Sequence, residues 1–258
     1  IDIIVPAFNS DNYIEKTLDS VFNQTFQDYK IYVIDDNSSD GTSSILKKLG
    51  SKINLIKLKK NKGPAFCRNI GMRVSNSNYL CFLDSDDLWT KDKLLKQYKF
   101  MKKLNLDFSY TNYVVIDQND KIKSKVYVKN YTSVNEFMCD TSIATSSLML
   151  KRSFIDNLKF KKKGYGFDDY IFKCEILLKT KNSKCLNDYL LNYRVRKNSI
   201  SSKPFRNFVW IWKINRDYFK LPLLINLKNL FGISISSLFK YRINIILRFL
   251  KNKTKKEY

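Results

Sequence analysis

One segment of the chain reads Tyr79-Leu80-Cys81-Phe82-Leu83-Asp84-Ser85-Asp86-Asp87, an apolar run of strand length that ends abruptly in three acids. A strand buried on both faces of an α/β sheet shows such a continuous apolar run, and ligands of these sheets bind just outside the carboxyl ends of the strands. We therefore expect Asp84, Asp86 and Asp87 at the mouth of a site. Crowded carboxylates repel one another unless a cation shares them, and Mg²⁺ or Mn²⁺ combines carboxylates with substrate phosphate oxygens. The pattern predicts a metal–diphosphate site; a solvated turn that caps a helix starting near Thr90 would explain the same residues.

The segments before this run predict alternating strands and helices, which is typical of a mainly parallel sheet with helical crossovers. The predicted strands cover 1–5, 29–34 and 53–58, and the predicted helices cover 14–22, 42–50 and a segment from residue 66 onward. Pro6 ends the first strand, and Asn9 or Ser10 is the expected cap of the first helix. The second strand also ends in acids, Asp35-Asp36, so two acidic clusters are expected at one edge of the sheet.

The segments after the run predict a sheet that becomes mixed. A helix over 91–104 is followed by a predicted hairpin of strands 107–116 and 121–128 and by a strand over 143–150. A loop with three consecutive lysines, 161–163, then leads to Asp168-Asp169 at the start of a helix. The lysines are typical of a solvated face, and the helix dipole favours acids at a helix start. The Asp pair could equally converge on one cleft with the other two acidic clusters.

Composition limits the classes of function. Lys+Arg 47 against Asp+Glu 24 gives a net charge of +23, which predicts attraction to nucleic acid, anionic lipid or phosphorylated substrates. The chain has no histidine, so catalysis by imidazole is excluded and any general acid or base must be another side chain. Five cysteines without CxxC spacing predict buried thiols in a reducing compartment and no zinc site. We expect no signal peptide and no bilayer-spanning run, and the glycine patterns of dinucleotide and P-loop sites do not occur.

Five motifs occur in the order seen in family 2 glycosyltransferases with the GT-A fold: Pro6-Ala7-Phe8-Asn9, the segment from Val33 to Thr42, the segment from Lys62-Gly63 to Arg68-Asn69, Leu83-Asp84-Ser85-Asp86-Asp87, and Phe167-Asp168-Asp169-Tyr170. The sequence resembles that family over residues 1–200, and Tyr193 to Ser201 resembles lipopolysaccharide-type and capsule-type members. The resemblance implies an α/β fold, Rossmann-like, with a mixed, mainly parallel sheet flanked by helices. It implies inverting transfer of a hexosyl or N-acetylhexosaminyl group from a nucleotide donor, with UDP as the expected nucleotide, to a hydroxyl of a cell-surface glycan or lipid-linked acceptor.

The resemblance also implies catalytic and metal-binding residues. Asp169 matches the general base of inverting members, and Asp168 stands beside it where Glu is usual. Asp86 matches the residue that binds the divalent metal, Mn²⁺ or Mg²⁺, bridging the diphosphate. The chemistry requires such groups, because a cation must stabilise the leaving nucleoside diphosphate while a carboxylate takes the proton of the acceptor hydroxyl.

The donor-binding residues that the resemblance implies are Pro6, Phe8, Asn9, Asp35, Asp36, Lys62, Arg68, Asp84, Ser85, Arg194 and Arg196. Within this set, Asp36 is expected to accept from the nucleotide base and Asp84 to contact the ribose. Arg194 and Arg196 are expected at the diphosphate, although a basic surface loop would explain these two equally well.

The last quarter of the chain differs from the rest in its charge and in its pattern of apolar residues. We predict a catalytic domain over 1–202, with a nucleotide-binding half of about 1–105 and an acceptor-side half of about 106–202, and a basic amphipathic helical region over 203–258. Residues 201–258 contain 13 Lys and Arg against 2 Asp and Glu. Two apolar stripes are predicted there, namely Phe208, Ile211, Trp212 and Phe219, then Phe239, Ile243, Ile246, Leu247 and Leu250.

Basic faces backed by apolar stripes are typical of helices that lie on anionic membranes. They predict a cytoplasmic enzyme held peripherally at the inner face of the cytoplasmic membrane, and a truncation near Pro204 that stays folded. Packing of the stripes on the catalytic domain or on a second subunit is the alternative, and the oligomeric state stays open.

Two other functions fit parts of the sequence. A nucleic-acid-binding protein would explain the charge, but acids at strand ends would repel phosphates and no reader motif occurs, so we expect no nucleic acid partner. A catalytically inactive sugar-nucleotide-binding or scaffold protein would keep the same motifs without turnover.

Overall fold

A computed structural model describes residues 1–131, 133–161, 167–196 and 204–237. The strands are β1 (Asp2–Ala7), β2 (Lys30–Asp35), β3 (Asn54–Lys57), β4 (Tyr79–Phe82), β5 (Leu88–Trp89), β6 (Phe108–Ile116), β7 (Ile122–Val126), β8 (Met149–Lys151) and β9 (Ser183–Arg194). The helices are α1 (Ile14–Phe22), α2 (Thr42–Lys48), α3 (Pro64–Val74), α4 (Lys93–Leu104), α5 (Val134–Met138), α6 (Arg152–Ile155), α7 (Asp168–Lys179), α8 (Pro204–Lys213) and α9, described over 223–237. A π-helical turn, Ile214–Tyr218, separates α8 from the last helix.

The nine strands form one mixed sheet in the order β3-β2-β1-β4-β8-β6-β9-β5, with β7 paired to β6. The pairs among β1, β2, β3 and β4 are parallel. β8 runs antiparallel to β4 and β6, whereas β9 runs parallel to β6. The predicted α/β architecture, parallel in its first half and mixed thereafter, is confirmed.

The sheet has a core on each face because its central strands carry apolar side chains on both faces. All six residues of β1 are buried, and helices cover both faces. On one face α1 buries Ile14, Leu18 and Val21, which follow one another at helical spacing. Each such side chain contributes about 1.5–3 kcal/mol when it is fully buried.

Two local predictions were wrong, and one strand was missed. Neither Asn9 nor Ser10 caps α1 with its side chain, because Asn9 Oδ1 accepts from Ser39 N–H at 2.9 Å instead. The strand predicted over 143–150 is only three residues long, since Thr145–Ser147 forms a 3₁₀ turn. β9 was not predicted: polar residues interrupt its apolar pattern, and its register against β6 shifts twice.

The chain after residue 203 shares its core with the sheet in the part that the structure describes. Ile211, Ile214 and Ile233 are buried in the same cluster as the sheet residues, and Phe208 and Phe219 pack against it. The first predicted stripe therefore packs on the protein, as the alternative interpretation expected, and not on a membrane. The second stripe lies outside the described residues. Within the described ranges, no helix combines the length and apolarity needed to cross a bilayer.

Candidate active site

A cleft of about 650 Å³ opens at the carboxyl ends of the parallel strands. Ten of the predicted site residues line it: Pro6, Phe8, Asp36, Arg68, Asp84, Ser85, Asp86, Asp169, Arg194 and Arg196. Four others, all in described parts of the chain, lie away from its walls: Asn9, Asp35, Lys62 and Asp168. The topology thus brings the three acidic clusters to one cavity, and the individual roles of these residues stay predictions.

The two acids after β2 hold loops in place. Asp35 is fully buried and accepts from the Ser38 N–H at 2.9 Å and from the Ser43 hydroxyl, so its carboxylate shapes the loop that follows β2. Asp36 accepts from the N–H groups of Lys62 and Gly63, each at 2.7 Å. These bonds fix the loop before α3 along one wall of the cleft.

Gly63 is required at that position by its backbone conformation. Its φ is +90°, in the region that glycine reaches without the steric cost that a Cβ imposes. The next residue, Pro64, begins α3, where a missing N–H costs no helical hydrogen bond.

Two arginines neutralise the first and second acids of the Asp-Ser-Asp-Asp loop. Arg68, which is buried, forms an ion pair with Asp84. Arg196 Nε lies 2.8 Å from Asp86 Oδ2. Burial and the neighbouring Asp84 charge raise the pKa of Asp86, whereas Arg196 acts in the opposite direction.

The third acid of the loop is structural. Asp87 is buried and accepts from the Ser146 hydroxyl at 2.6 Å and from the Arg194 N–H at 2.8 Å. Burial and the adjacent carboxylates raise the pKa of Asp87 well above its ordinary value. Its bonds tie the loop after β4 to the 3₁₀ turn and to the end of β9.

Arg194 connects the same loop to the β6–β7 turn. Its Nε donates to Asp86 O at 2.7 Å, its Nη1 donates to Asp117 O at 2.9 Å, and Nη1 lies 2.6 Å from Asp120 Oδ1. Its Nη2 is buried and has no hydrogen-bond partner among the residues that the structure describes. A buried cationic donor without a partner at a cleft wall suits an anionic ligand.

Asp169 lies in the cleft at the first turn of α7. Its Oδ2 accepts from Lys173 Nζ at 2.7 Å and from Thr145 Oγ1 at 3.3 Å. Lys173 is buried and also donates to the Ile143 carbonyl at 3.0 Å. Burial would raise the pKa of Asp169, but Lys173 and Arg68 outweigh it and hold this pKa below the ordinary value. Asp168, its neighbour in sequence, is half-buried and is not one of the residues that line the cleft.

Sequence reasoning missed Lys173 and Thr145. A signal existed for Lys173, because it is a cation within the apolar segment Ile171-Phe172-Lys173-Cys174, four residues after an acid. No comparable signal existed for Thr145, which approaches Asp169 only because the 3₁₀ turn replaces the predicted strand.

The acids present fit a divalent cation that is bound together with a substrate. In the described ranges no group of three or more acids or cysteines could hold a metal alone. Mg²⁺ and Mn²⁺ are commonly held by one or two carboxylates together with substrate phosphates. Asp84 and Asp86 both face the cleft and can supply that share of the ligands.

The carboxylates and arginines gather at the carboxyl ends of the parallel strands, which is where open α/β sheets bind their ligands. The sequence matches the family model described as "Glycosyl transferase family 2" over residues 2–166. The chain belongs to this family of glycosyltransferases, as the sequence motifs predicted.

Relatives of nearly the same length support this assignment. The chain is 30% identical over 228 residues, 87% of its length and 90% of the relative, to "Putative teichuronic acid biosynthesis glycosyltransferase TuaG" of Bacillus subtilis (strain 168). It is 30% identical over 226 residues, 86% of its length and 88% of the relative, to "UDP-Glc:alpha-D-GlcNAc-diphosphoundecaprenol beta-1,3-glucosyltransferase WfgD" of Escherichia coli.

The fold also matches a solved glycosyltransferase. The crystal structure of Staphylococcus aureus TarS 1–349 in complex with UDP-GlcNAc superimposes with a TM-score of 0.70, at 20% identity, over 94% of this chain and 74% of that one. The predicted GT-A fold is confirmed.

Proposed function

We propose that the protein is an inverting glycosyltransferase that moves a hexosyl or N-acetylhexosaminyl group from a UDP donor to a hydroxyl of a cell-surface glycan or lipid-linked acceptor. The observation that carries this proposal is the single cleft that holds both the acids after β4 and Asp169. The names of two similar proteins support this donor and acceptor. The Escherichia coli relative is named for UDP-Glc and a diphosphoundecaprenol-linked GlcNAc, and the solved TarS structure is a complex with UDP-GlcNAc.

The donor side of the cleft is formed by Asp36, Asp84, Asp86 and two arginines, Arg194 at the end of β9 and Arg196 just beyond it. Mn²⁺ or Mg²⁺ held by Asp86, with Asp84 beside it, would stabilise the charge that develops on the leaving diphosphate. Arg194 and Arg196 place two further cations at the same wall, and Tyr13 lies against both guanidinium groups, 5.0 Å and 5.4 Å from them. A buried, fixed guanidinium stabilises phosphate charge without the reorganisation that a flexible lysine would need.

The acceptor side is formed by Asp169 and its partners. Both of its hydrogen bonds among the described residues go to Oδ2, which leaves Oδ1 to take the proton of the attacking hydroxyl. The lowered pKa keeps this carboxylate ionised, and Lys173 holds its orientation. Thus Asp169 acts as the general base, while the other predicted residues that line the cleft bind and orient the donor.

The place of action in this proposal is the inner face of the cytoplasmic membrane, where the enzyme is bound peripherally. A relative whose name specifies a diphosphoundecaprenol acceptor supports this, and so does the basic composition of residues 201–258.

The test is to incubate the protein with a panel of UDP-sugars, with Mn²⁺ or with a chelator, and to measure both thermal stabilisation and UDP release. We expect stabilisation and release by one donor with Mn²⁺ and neither with the chelator. Stabilisation without release, with lipid-linked acceptor present, would favour the inactive sugar-nucleotide-binding protein instead.

A further inference from the structure

Helix α9 turns two asparagines and Ile233 toward the protein, while several of its other apolar side chains point outward. Asn226 and Asn229 are buried. Asn215 donates to Asn226 Oδ1 at 2.9 Å, Asn226 donates to Trp212 O at 3.3 Å, and the Cys139 thiol donates to Asn229 Oδ1 at 3.1 Å. The exposed side chains include Leu224 (79%), Leu227 (50%), Phe231 (68%) and Ile235 (37%).

These four outward residues form one stripe, which we call the α9 stripe, because spacings of three and four place them on the same face of a helix. The hydrogen bonds of the buried Asn226 and Asn229, on the opposite face of α9, set the rotation of the helix. Turning the helix to bury Leu224 or Phe231 would break the bonds of Asn226 and Asn229 and leave the buried Asn215 amide without its partner. Contiguous exposed apolar surface of this kind marks a docking site.

The charge beside the stripe favours an anionic lipid surface as its occupant. Lys228 lies on α9 beside the stripe, Lys213 and Lys220 precede the helix, and all three are exposed. A second copy of the chain would bring the same lysines into apposition, with +23 on each partner, and would be repelled. A bilayer accepts the apolar side chains while its anionic headgroups bind the lysines.

The contacts of α9 and α8 place this stripe near the cleft. An added Cβ at Gly232 would lie 2.9 Å from Cys139 Cβ, so α9 packs tightly against residue 139. Two residues further along, Thr141 lines the cleft. From α8, Trp210 contacts Phe167 of the cleft wall edge to face, with ring centroids 5.6 Å apart.

We propose that the α9 stripe is the surface by which this protein lies on an anionic bilayer, with the cleft opening beside the lipid. The inference rests on the proposed function only for the identity of the acceptor, which would reach the cleft past residues 139–143. It replaces the predicted stripe of Phe208, Ile211 and Phe219, which packs on the protein.

The test is co-sedimentation of the full chain with vesicles of phosphatidylglycerol and phosphatidylcholine at low salt, and with phosphatidylcholine alone. The variant Leu224→Ser/Phe231→Ser removes two side chains of the stripe. The matched control, Ile122→Ser/Leu178→Ser, removes two side chains of similar exposure (67% and 59%) on β7 and α7. We expect the partition coefficient for anionic vesicles to fall by at least about tenfold in the stripe variant, and to stay unchanged in the control. Thermal melting and UDP affinity should match wild type in both variants.

Three results would overturn the inference. The first is wild-type protein that stays in the supernatant with anionic vesicles, and the second is a stripe variant that sediments like wild type. The third is a wild-type dimer, measured by light scattering, that the stripe variant dissociates, because a second copy would then cover the stripe. Vesicle binding through the stripe by a protein that neither binds nor cleaves any UDP-sugar would instead contradict the proposed function and leave this inference supported.

Discussion

At the scale of single residues, neighbouring acids have different environments. Asp84 and Asp86 face the cleft and pair with arginines, whereas Asp87 is turned into the core and bonds to Ser146. The sequence motif predicted that the first two meet the donor, but it could not show which acid is structural, because that depends on the 3₁₀ turn brought from the distant segment Thr145–Ser147.

Asp86→Asn should abolish Mn²⁺-dependent UDP binding and leave the fold intact. The substitution removes a carboxylate from a crowded acidic site and preserves the size of the side chain, so the folded state should lose little. Calorimetric titration of UDP with and without Mn²⁺ measures the effect. Asp188→Asn is the matched control, since Asp188 also forms an ion pair, 2.9 Å from Lys96, but away from the cleft. Equal Mn²⁺-dependent affinity in Asp86→Asn and wild type would refute the assignment.

Lys173→Met should move the acid limb of the kcat/KM profile to higher pH. In the wild type, Lys173 and Arg68 outweigh burial and lower the pKa of Asp169, so the base stays ionised as the pH falls. Without Lys173, the opposing effect of burial is less compensated and the pKa of Asp169 rises. Lys179→Met, on the same helix, should leave the profile unchanged, because Lys179 donates to Phe154 O instead. Coincident profiles for Lys173→Met and wild type would show that Lys173 does not position or tune this carboxylate.

At the scale of elements, strands were predicted correctly where the apolar pattern of a single segment was sufficient to identify them. β1, β2 and β4 each contain an apolar run, and they were predicted within one or two residues. β9 and the short β8 were not, because their pairing depends on a partner strand and on register shifts that a single segment does not encode. The acidic clusters at strand ends were sufficient to predict one cleft.

The 3₁₀ turn is the element that connects the two sides of the cleft. Ser146 Oγ accepts from the Asp84 N–H at 3.1 Å and donates to Asp87 Oδ2 at 2.6 Å. We expect Ser146→Ala to cost about 1–3 kcal/mol of stability, because Asp87 loses a buried partner. UDP affinity should fall as well, since the loop of Asp84 is then less constrained.

Ser147→Ala is the matched control for that change. Ser147 is equally buried but bonds to the Ala144 carbonyl at 2.7 Å rather than to the loop. Urea denaturation and UDP titration of both variants separate stability from binding. If Ser147→Ala weakens UDP binding as much as Ser146→Ala does, the turn acts through general stability and not through the acidic loop.

At the scale of the whole molecule, the described residues 204–237 pack against the sheet and share its core. The sequence predicted a separable appendage because its charge and apolar stripes differ from the rest. The structure buries Ile211, Ile214 and Ile233 in the core of the sheet, a long-range contact that composition cannot show.

A truncation after residue 203 should therefore be less stable than the full chain. Each of the three buried isoleucines contributes about 1.5–3 kcal/mol, so the loss is a large part of the stability of a typical domain. Urea unfolding followed by circular dichroism measures it. A truncated chain with the same midpoint as the full protein would show that α8 and α9 dock without supporting the core.

The central claim is that one cleft transfers sugar from a UDP donor with Asp169 as the base. The most direct measurement is UDP release from the best-bound UDP-sugar, with Mn²⁺ and a diphosphoundecaprenol-linked sugar, by wild type, Asp169→Asn and Asp168→Asn. We predict that Asp169→Asn lowers turnover by about 10²–10⁴-fold with unchanged donor affinity, because the side chain keeps its shape but loses its basicity. Asp168→Asn should retain most of the wild-type turnover. Near-normal turnover by Asp169→Asn, or loss of turnover only in Asp168→Asn, would contradict the account.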